Sequence, residues 1–380
     1  MPSNDVTIMR IGVNARLLFT YEMEGIARYI YETTVRMAQA HPNDEFYLFY
    51  DRSNHSRPDF PSNVRHIMIP LPTRHPVLWY WWFEILLPIY LKWYKIDVFY
   101  SGDGYLSLRS KVSMVMVLHD LAYKHYEDQV SMSVLNYYKK YVPLFLKKAT
   151  KIITVSHFVK RDILHHFDIK ENKIIVAYNA VHPDQLLKNQ NNIRLNVEDL
   201  IDSKPYFVYV GSLHPRKNIV RMIDAFESFN TGHQNRYKLV LAGRMAWDTK
   251  EIEAKIKQSK NTIHIGFVTE ADKYVLIQNA CCLLYVSLFE GFGIPIIEGM
   301  IAGTPVITSD AASMPEIAGG AALLANPNDT LSIAAYMQEI VSNESLQQQL
   351  IKNGKQRAGA FDWKISAEKI YQALLDSLKN

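Results

Sequence analysis

The sequence predicts an α/β protein with two doubly wound domains, each built on a parallel β-sheet with helices on both faces. Short β-branched runs alternate with helical patterns along almost all of the 380 residues, as they do in parallel sheets. Many of these runs are apolar without strict alternation, which is typical of strands buried on both faces. One polar, asparagine-rich stretch at residues 182–205 breaks the pattern. These observations favour two domains rather than one.

Thirteen short runs are candidates for the strands. In the first half of the chain they are IMRIGV, FYLFY, VRHIMI, DVFYS, VSMVMVL, KIITVS and KIIVAY. In the second half they are YFVYVG, KLVLAG, TIHIGF, CCLLYVS, TPVITS and AALLA. Amphipathic segments such as GIARYIYETTVRMAQA and NIVRMIDAFESF lie between them and predict helices that pack one face against a sheet.

The polar stretch divides the chain into a first domain, residues 1–183, a linker, residues 184–204, and a second domain that begins at residue 205. The stretch is asparagine-rich and ends in a proline, as linkers often do. Two doubly wound domains joined in this way are expected to face each other across a cleft. Ligands of such sheets bind outside the carboxyl ends of the strands, and polar or glycine-rich residues follow most of the predicted strands.

Composition and charge narrow the classes of partner. The net charge is only +4, which fits an anionic ligand or a weak attraction to an acidic membrane surface and does not favour nucleic acid. The adjacent Cys281 and Cys282 lie in an apolar run, so we expect buried strand thiols rather than a metal site or a disulfide. The N-terminal residues show no apolar signal-peptide core, and we expect a reducing, cytoplasmic location.

The most apolar stretch is HPVLWYWWFEILLPIYLKWYKIDVFYS, residues 75–101. Glu84, Pro88, Lys92 and Lys95 interrupt it, so it does not predict a membrane-spanning helix. We expect a buried or half-buried helix. The alternative is an interfacial helix that makes a peripheral contact with the inner face of a membrane. The side chains that would make this contact are Trp79, Trp81, Trp82 and Lys92.

The stretch SLFEGFGIPIIEGM places Glu290 and Glu298 at the two ends of a glycine-rich turn. Pro295 suits the first position of a helix, so the turn should present backbone N–H groups at a helix N-terminus, where anions bind. Gly291 and Gly293 would let a ligand approach the backbone closely. The two carboxylates would repel a phosphate, so we expect them to accept hydrogen bonds from hydroxyl groups on either side of it. A phosphate flanked by hydroxyl groups indicates a nucleotide sugar.

Together with three other motifs, this stretch resembles the retaining glycosyltransferases of family four, which have the GT-B fold of two Rossmann-like domains. The motifs are FEGFGIPIIEGM with its E-x7-E spacing, GSLHPRKN in the second domain, and VLHDLAY and TVSHFVKRDI in the first. The resemblance covers nearly the whole chain. It implies that the C-terminal helix crosses back, so that the second domain ends at residue 364 and residues 365–380 join the first domain.

The resemblance implies roles for both glutamates. In this family the second glutamate binds the ribose hydroxyls, which corresponds to Glu298. The first lies against the donor sugar and is the catalytic candidate, which corresponds to Glu290. The N–H groups of Phe292, Gly293 and Ile294 would contact the sugar and the phosphates. The alternative for Glu298 is a carboxylate that only stabilises the helix N-terminus, by about 0.3–1 kcal/mol.

The motif GSLHPRKN implies the cations of the donor site. Lys217 matches the lysine that binds the diphosphate. Many members of the family carry an arginine directly after the glycine, where this chain has Ser212, and Arg216 would supply the second positive charge instead. The alternative is a solvated basic pair at a helix start. Cations beside a helix N-terminus can stabilise a departing diphosphate without a metal ion, and no D-x-D motif occurs, so the resemblance implies neither a metal nor a cofactor.

Three further residues match positions of the family, and a fourth, Asp120, lies beside one of them. His119 in VLHD matches a histidine that reaches the donor sugar from the first domain, and the alternative is a structural histidine. Asp120 would orient that imidazole or face the acceptor. Gly25 in MEGIARY matches a glycine at a loop-to-helix turn near the diphosphate, and the alternative is an ordinary helix-start glycine. Val268, after HIGF, matches a position whose backbone touches the base.

The resemblance implies transfer of a hexose, with a slight preference for mannose, from a GDP- or UDP-sugar to a glycan or lipid-linked glycan. It implies retention at the anomeric carbon by front-face substitution, in which the leaving phosphate oxygen takes the acceptor's proton. Two other functions stay open: a non-hydrolysing nucleotide-sugar epimerase, which needs no acceptor, and a catalytically inactive nucleotide-sugar-binding protein. An NAD-dependent enzyme is disfavoured, because GVNARLL lacks G-x-G-x-x-G after the first strand.

Overall fold

A strand lies at each of the thirteen predicted positions in the structure, a computed structural model that describes residues 8–18, 23, 25–52, 58–73, 75–181 and 195–379. The contacts divide the chain into two units. Unit 1 comprises Met1–Asn179 and Trp363–Asn380, and unit 2 comprises Ala180–Asp362. Part of the predicted linker, residues 184–194, lies outside the described residues. Within the predicted linker, residues 197–201 form a short helix.

Unit 1 is built on a sheet of seven parallel strands in the order β3-β2-β1-β4-β5-β6-β7. Its inner strands read as continuous apolar runs because both of their faces are covered. The strands are β1 Arg10–Asn14, β2 Glu45–Tyr50, β3 Val64–Met68, β4 Val98–Ser101, β5 Ser113–Leu118, β6 Lys151–Thr154 and β7 Ile174–Val176.

The helices of unit 1 alternate with these strands. Ser156 caps α6 by accepting a hydrogen bond from the N–H of Val159, a usual role of serine at a helix N-terminus. The helices are α1 Gly25–Ala40, α2 Pro76–Trp81, α3 Leu87–Trp93, α4 Ala122–His125, α5 Met132–Lys148 and α6 His157–His166. A π-helical turn, Trp82–Leu86, joins α2 directly to α3.

Unit 2 repeats the plan with six parallel strands in the order β10-β9-β8-β11-β12-β13. They are β8 Tyr206–Val210, β9 Lys238–Ala242, β10 Thr262–Gly266, β11 Cys282–Tyr285, β12 Val306–Ser309 and β13 Leu323–Ala325. Cys282 is buried in β11 as predicted, whereas Cys281 is half-buried and precedes the strand; both thiols are free.

The helices of unit 2 follow the same alternation. Capping side chains define several of their starts: Thr269 accepts from the N–H of Asp272, and Asp329 accepts from Leu331 and Ser332. The helices are α7 Val197–Ile201, α8 Ile219–Gly232, α9 Lys250–Gln258, α10 Glu270–Gln278, α11 Ile294–Ala302, α12 Met314–Ala318, α13 Thr330–Ser342 and α14 Glu344–Ala358.

The last helix, α15 Trp363–Asp376, belongs to unit 1. Its hydroxyl and ammonium groups donate to the carbonyls that end the first half of the chain: Ser366 Oγ to Tyr178 O at 2.7 Å and Lys369 Nζ to Val176 O at 3.0 Å. The hydroxyl of Tyr371 donates to Asp44 at 2.5 Å. These bonds join residues almost two hundred or more positions apart, so unit 1 is assembled from both ends of the sequence.

The tryptophan-rich stretch forms a helical rod with two different faces. Trp82, Phe83, Leu87 and Leu91 are buried, which agrees with the expected half-buried helix. Trp82 does not fit the alternative of a membrane contact, because its ring is buried in unit 1. Among the described residues, none of the helices combines the length and apolar character needed to cross a bilayer.

Each sheet reverses its direction of winding once. In unit 1 this happens between β1 and β4, and in unit 2 between β8 and β11. The chain leaves such neighbouring strands in opposite directions, which opens a crevice at their carboxyl ends where ligands of doubly wound sheets bind. The loops that follow β8 and β11 are GSLHPRKN and SLFEGFG, so two of the predicted motifs meet at the switch point of unit 2.

Candidate functional site

The loop after β8 requires a close approach of two backbones. Gly211 and Gly243 end β8 and β9 with φ of +141° and +150°, a region that L side chains rarely adopt. A Cβ at Gly243 would lie 1.8 Å from the carbonyl oxygen of Gly211. The loop then forms a 3-10 turn, Pro215–Lys217, which His214 caps by accepting a hydrogen bond from the N–H of Arg216 at 3.3 Å.

This turn brings Lys217 to Glu290, which follows β11. Lys217 Nζ lies 2.5 Å from Glu290 Oε1 and 3.3 Å from the hydroxyl of Tyr285. Both charged side chains are nearly buried, with about a tenth of each exposed. Burial alone would raise the pKa of Glu290, but the charges of Lys217 and Arg216 outweigh it and hold that pKa below its ordinary value. The carboxylate is therefore ionised at neutral pH.

The glycine-rich turn is held from both sides. The hydroxyl of Ser313, after β12, donates to the carbonyls of Glu290 at 2.9 Å and Phe292 at 2.7 Å. The N–H of Leu288 donates to the carbonyl of Arg216 at 2.9 Å. The turn therefore has a fixed shape before any ligand binds. Ser313 was not among the predicted site residues, although it ends TSDAAS, the polar stretch at the end of β12.

The turn ends in the predicted helix start. Gly293 is the N-cap of α11 with φ of +109°, and Pro295 lies in the first turn of the helix, where its missing N–H costs nothing. The first N–H groups of an α-helix have no partner within the helix and carry a partial positive charge. Phe292 is buried and Ile294 is half-buried, so this N-terminus is a small, partly dry site suited to an anion.

Glu298 has a lysine partner of its own. It is buried in α11, and Lys273 Nζ from α10 lies 2.5 Å from its Oε1 and 3.1 Å from Oε1 of Glu270. Burial acts to lower the pKa of Lys273, but the two carboxylates outweigh it and raise that pKa. The predictions missed Lys273, because its only signal is its position one turn into the helix that follows Val268.

Val268 and Ser212 lie at two other strand ends of unit 2. Val268 is half-buried between β10 and the cap of α10. Beside it the guanidinium of Arg244 lies 4.3 Å from the ring centre of the exposed Phe267. The carbonyl of Ser212 accepts the hydroxyl of Tyr209 at 2.9 Å. Ser212 lies where the family resemblance implies an arginine, and the charge of Arg216, four residues further on, acts to lower the pKa of Glu290.

His119, Asp120 and Gly25 belong to unit 1. His119 Nε2 lies 2.8 Å from the carbonyl oxygen of Gly102, so this nitrogen carries the proton and Nδ1 is the acceptor of the neutral ring. Burial lowers the pKa of His119, which favours that neutral form. Asp120 accepts the N–H of Ala122 at 2.9 Å and so begins α4. Gly25 starts α1 with φ of +50°, and beyond its chain neighbours and its own helix no described residue places an atom within 4 Å of the position of its missing Cβ.

A buried polar network that the predictions missed lies at the switch point of unit 1. Arg16, two residues beyond β1, is nearly buried and lies 2.6 Å from Asp103. Its guanidinium donates to Thr73 at 2.8 Å and lies 4.6 Å from the ring centre of Phe83. Asn14 donates to the same Asp103 at 2.7 Å. The arginine of GVNAR therefore fixes the loops after β1 and β4 to each other.

One group of described residues has the composition of a metal site. His125, Asp162 and His166 in unit 1 place their ligand atoms within 4.8 Å of one another. His125 Nε2 lies 3.0 Å from both oxygens of Asp162, and His166 Nδ1 lies 3.1 Å from one of them. The imidazoles already bond the carboxylate, and none of the three was predicted to touch the donor.

Comparisons with known proteins identify the family of the chain. The family described as Glycosyltransferase Family 4 matches residues 23–185, and the family described as Glycosyl transferases group 1 matches residues 192–357. O-antigen chain mannosyltransferase B of Escherichia coli is 26% identical over 358 residues, which cover 90% of this chain and 93% of that relative.

Two solved structures show the same fold. Sucrose-phosphate synthase of Thermosynechococcus elongatus has a TM-score of 0.76 at 17% identity and covers 97% of this chain and 98% of its own. Anabaena Alr3699/HepE in complex with UDP and glucose has a TM-score of 0.72 at 16% identity and covers 97% and 100%. The two family matches together span most of the chain, and the two parallel-sheet units are those of the GT-B fold. The chain belongs to the group 1, family 4 glycosyltransferases.

Proposed function

We propose that the protein is a retaining hexosyltransferase that moves mannose from a nucleoside-diphosphate sugar to a growing glycan or a lipid-linked glycan. The observation that carries the proposal is the Lys217–Glu290 pair at the switch point of unit 2, next to the N-terminus of α11. It combines a cation, a carboxylate and a helix N-terminus in one crevice. Mannose is preferred because the relative that covers most of the chain is a mannosyltransferase.

The donor would bind to unit 2 through its charged diphosphate and through the hydroxyl groups on either side of it. The diphosphate suits the helix N-terminus together with Lys217 and Arg216, because all three present positive charge. Glu298 would accept the ribose hydroxyls. Its partner Lys273 lies one turn into the helix that follows Val268, on the side proposed for the base. The base would be guanine or uracil, and a relative in fold is known with UDP and glucose.

Glu290 would face the donor sugar. It is already ionised and paired with Lys217, so the arriving diphosphate competes with Glu290 for the same ammonium group. As the leaving group departs, Lys217 would follow the growing charge on the phosphate, and Glu290 would face the positive charge that develops at the anomeric carbon. This arrangement stabilises both partners of the separating charge.

His119 would accept a hydrogen bond from the substrate rather than donate one. Its Nε2–H is used by the carbonyl of Gly102, which leaves Nδ1 of the neutral ring to accept a hydrogen bond from a sugar hydroxyl. The acceptor hydroxyl would attack on the face from which the diphosphate leaves, and the leaving phosphate oxygen would take its proton. No step needs a metal ion, and we propose that the enzyme requires neither a metal nor a cofactor. The two free thiols fit a reducing compartment.

Incubation of the purified protein with a panel of GDP- and UDP-hexoses tests the proposal. We expect slow hydrolysis of one donor, faster turnover with a mannose-terminated oligosaccharide, and an anomeric proton signal that shows retention. An epimerase would interconvert donor sugars without any acceptor. A catalytically inactive protein would bind a donor in calorimetry and release no sugar. Either result would replace the transferase assignment.

A further inference from the structure

A line of apolar side chains lies on the surface of unit 1, along α2, the π-helical turn and α3. Its five members follow one another at intervals of four residues. The exposed fraction is 57% for Val77, 52% for Trp81, 55% for Ile89 and 72% for Trp93, while Ile85 is half-buried. These five residues are called the tryptophan stripe below. A surface that exposes two tryptophans and two other large apolar side chains in one line is unusual for a protein face that meets only water.

The helical rod keeps the stripe aligned through a change of pitch. α2 passes into the π-helical turn and the turn passes into α3, with right-handed helical φ and ψ at both junctions. In an α-helix a step of four residues overshoots a full turn by about 40°, so a longer stripe drifts around the axis. The π-helical turn, Trp82–Leu86, is wider. A step of four across it falls short of a full turn and counteracts the drift.

The opposite face of the rod is fixed in unit 1. Trp82 and Leu87 are fully buried. The carboxylate of Glu84, also buried, accepts the N–H groups of Leu108 at 2.9 Å and Arg109 at 3.0 Å. The charge of Glu84 is therefore stabilised by backbone N–H groups and does not face solvent. The stripe is presented on a rigid support, so its exposure costs no reordering when a partner arrives.

Positive charge flanks the stripe at both ends. Between residues 76 and 111 the exposed charged residues are four cations and one anion: Lys92, Lys95, Arg109, Lys111 and Asp97. Lys92 adjoins Trp93 at one end of the stripe. Arg109 lies at the other end, where its guanidinium donates to the hydroxyl of Tyr80 at 2.9 Å. An apolar stripe flanked by cations is complementary to a surface that has negative charges on the outside and an apolar layer beneath them.

We propose that the tryptophan stripe docks unit 1 on an anionic lipid surface. Tryptophan rings sit well at the level of lipid headgroups, where one side is apolar and the other is wet. Lysine and arginine beside them pair with lipid phosphates. A helix that lies in the plane of the interface carries this pattern of an apolar line and basic flanks. The proposal concerns a surface of unit 1 and holds whichever sugar and acceptor the enzyme uses.

Co-sedimentation of the full chain with vesicles tests the proposal. Vesicles of pure phosphatidylcholine are compared with vesicles that contain phosphatidylglycerol, at low and high salt. We expect binding to the anionic vesicles at low salt and a blue shift of tryptophan emission on binding. The double substitution Trp81→Glu/Trp93→Glu should abolish sedimentation, and Lys92→Gln should weaken it by about fivefold.

Matched controls separate the surface from the fold. Leu331→Glu changes an equally exposed apolar residue, 72%, on α13 of unit 2 and should leave vesicle binding unchanged. Far-UV circular dichroism and soluble-donor hydrolysis should be the same for Trp81→Glu/Trp93→Glu and the parent. The proposal is overturned if the parent ignores anionic vesicles at low salt, or if the double variant still sediments. It is also overturned if lipid-free parent protein forms a dimer that Trp93→Glu dissolves, because the stripe would then bind a second copy.

Discussion

Replacing Glu290 by glutamine separates the charge of this residue from its shape. The substitution keeps a carbonyl oxygen within reach of Lys217 and removes one negative charge beside the place proposed for the diphosphate. Lys217 then stays nearly buried with only the hydroxyl of Tyr285 at 3.3 Å and the new amide as partners. The change therefore acts on stability, on nucleotide binding and on catalysis in different directions.

The three effects have different sizes. Breaking a fully buried ion pair costs about 3–5 kcal/mol, and the remaining polar partners of Lys217 reduce this to about 2 kcal/mol of unfolding free energy. Binding of the bare nucleoside diphosphate should stay equal or tighten, because Lys217 no longer has to leave a carboxylate. Turnover should fall by about a hundredfold, the usual cost of removing a group that stabilises charge in the transition state.

Urea unfolding, calorimetry with the nucleoside diphosphate and steady-state kinetics measure the three effects. Glu298→Gln is the matched control, because it removes the same charge from the other end of the motif. Its loss of a charge-assisted hydrogen bond to ribose, worth about 1.5 kcal/mol, should weaken the bare diphosphate about tenfold. Both variants are assayed at a temperature at which urea titration shows them folded, so that stability does not affect the kinetic comparison.

One pattern of results refutes the assignment. If Glu290→Gln loses nucleotide affinity while Glu298→Gln keeps it, the sugar and ribose ends of the motif have been exchanged. If both variants lose only stability and turn over normally, the two glutamates serve the fold alone. The second outcome would also remove the main support for the proposed chemistry.

Three other predictions use simpler measurements. Activity should survive excess EDTA, since no step of the proposed reaction uses a metal, and loss that manganese restores would contradict this. Burial lowers the pKa of His119 from its ordinary 6.5, so the contribution of this residue to stability is complete above about pH 6.5 and is lost as the pH falls toward the lower pKa of the folded protein. The free energy of unfolding, measured from pH 7.5 to 5, should show this decline. The decline should be smaller in His119→Asn. Gly243→Ala should destabilise unit 2 by about 3 kcal/mol or more, because the new Cβ meets the Gly211 carbonyl at a φ that alanine rarely adopts; an unchanged unfolding midpoint in urea would show that this backbone relaxes freely.

The strands and the donor motifs were predictable because their signals are local. Most predicted strands are apolar runs that contain their own evidence, and Pro295 and Gly293 begin α11 as their types require. The pairing of Lys217 with Glu290 was not predicted, because it depends on the strand order that brings the loops after β8 and β11 together. The roles of these residues in the reaction remain predictions.

The partners that come from elsewhere in the chain were not predictable. Lys273, Ser313 and Arg16 are ordinary polar residues in sequence, and their contacts depend on which loops the fold brings together. The tryptophan-rich stretch shows the same limit on a smaller scale. Its composition does not tell which rings face water, because the π-helical turn shifts the helical phase and no residue type in the stretch predicts that turn.

Because α15 packs in unit 1, the two units must complete their folding in a fixed order during synthesis on the ribosome. Unit 2 is continuous in sequence and can complete its sheet as soon as Asp362 has emerged. Unit 1 emerges first but lacks the helix that packs Trp363 against Tyr29 at a ring distance of 5.5 Å. Unit 1 is synthesised first, but it cannot complete its fold until the last residues are released, and until then an apolar face stays uncovered. A ribosome stalled before residue 363 would therefore hold a finished unit 2 and an unfinished unit 1, and chaperone binding should concentrate on the older half of the nascent chain.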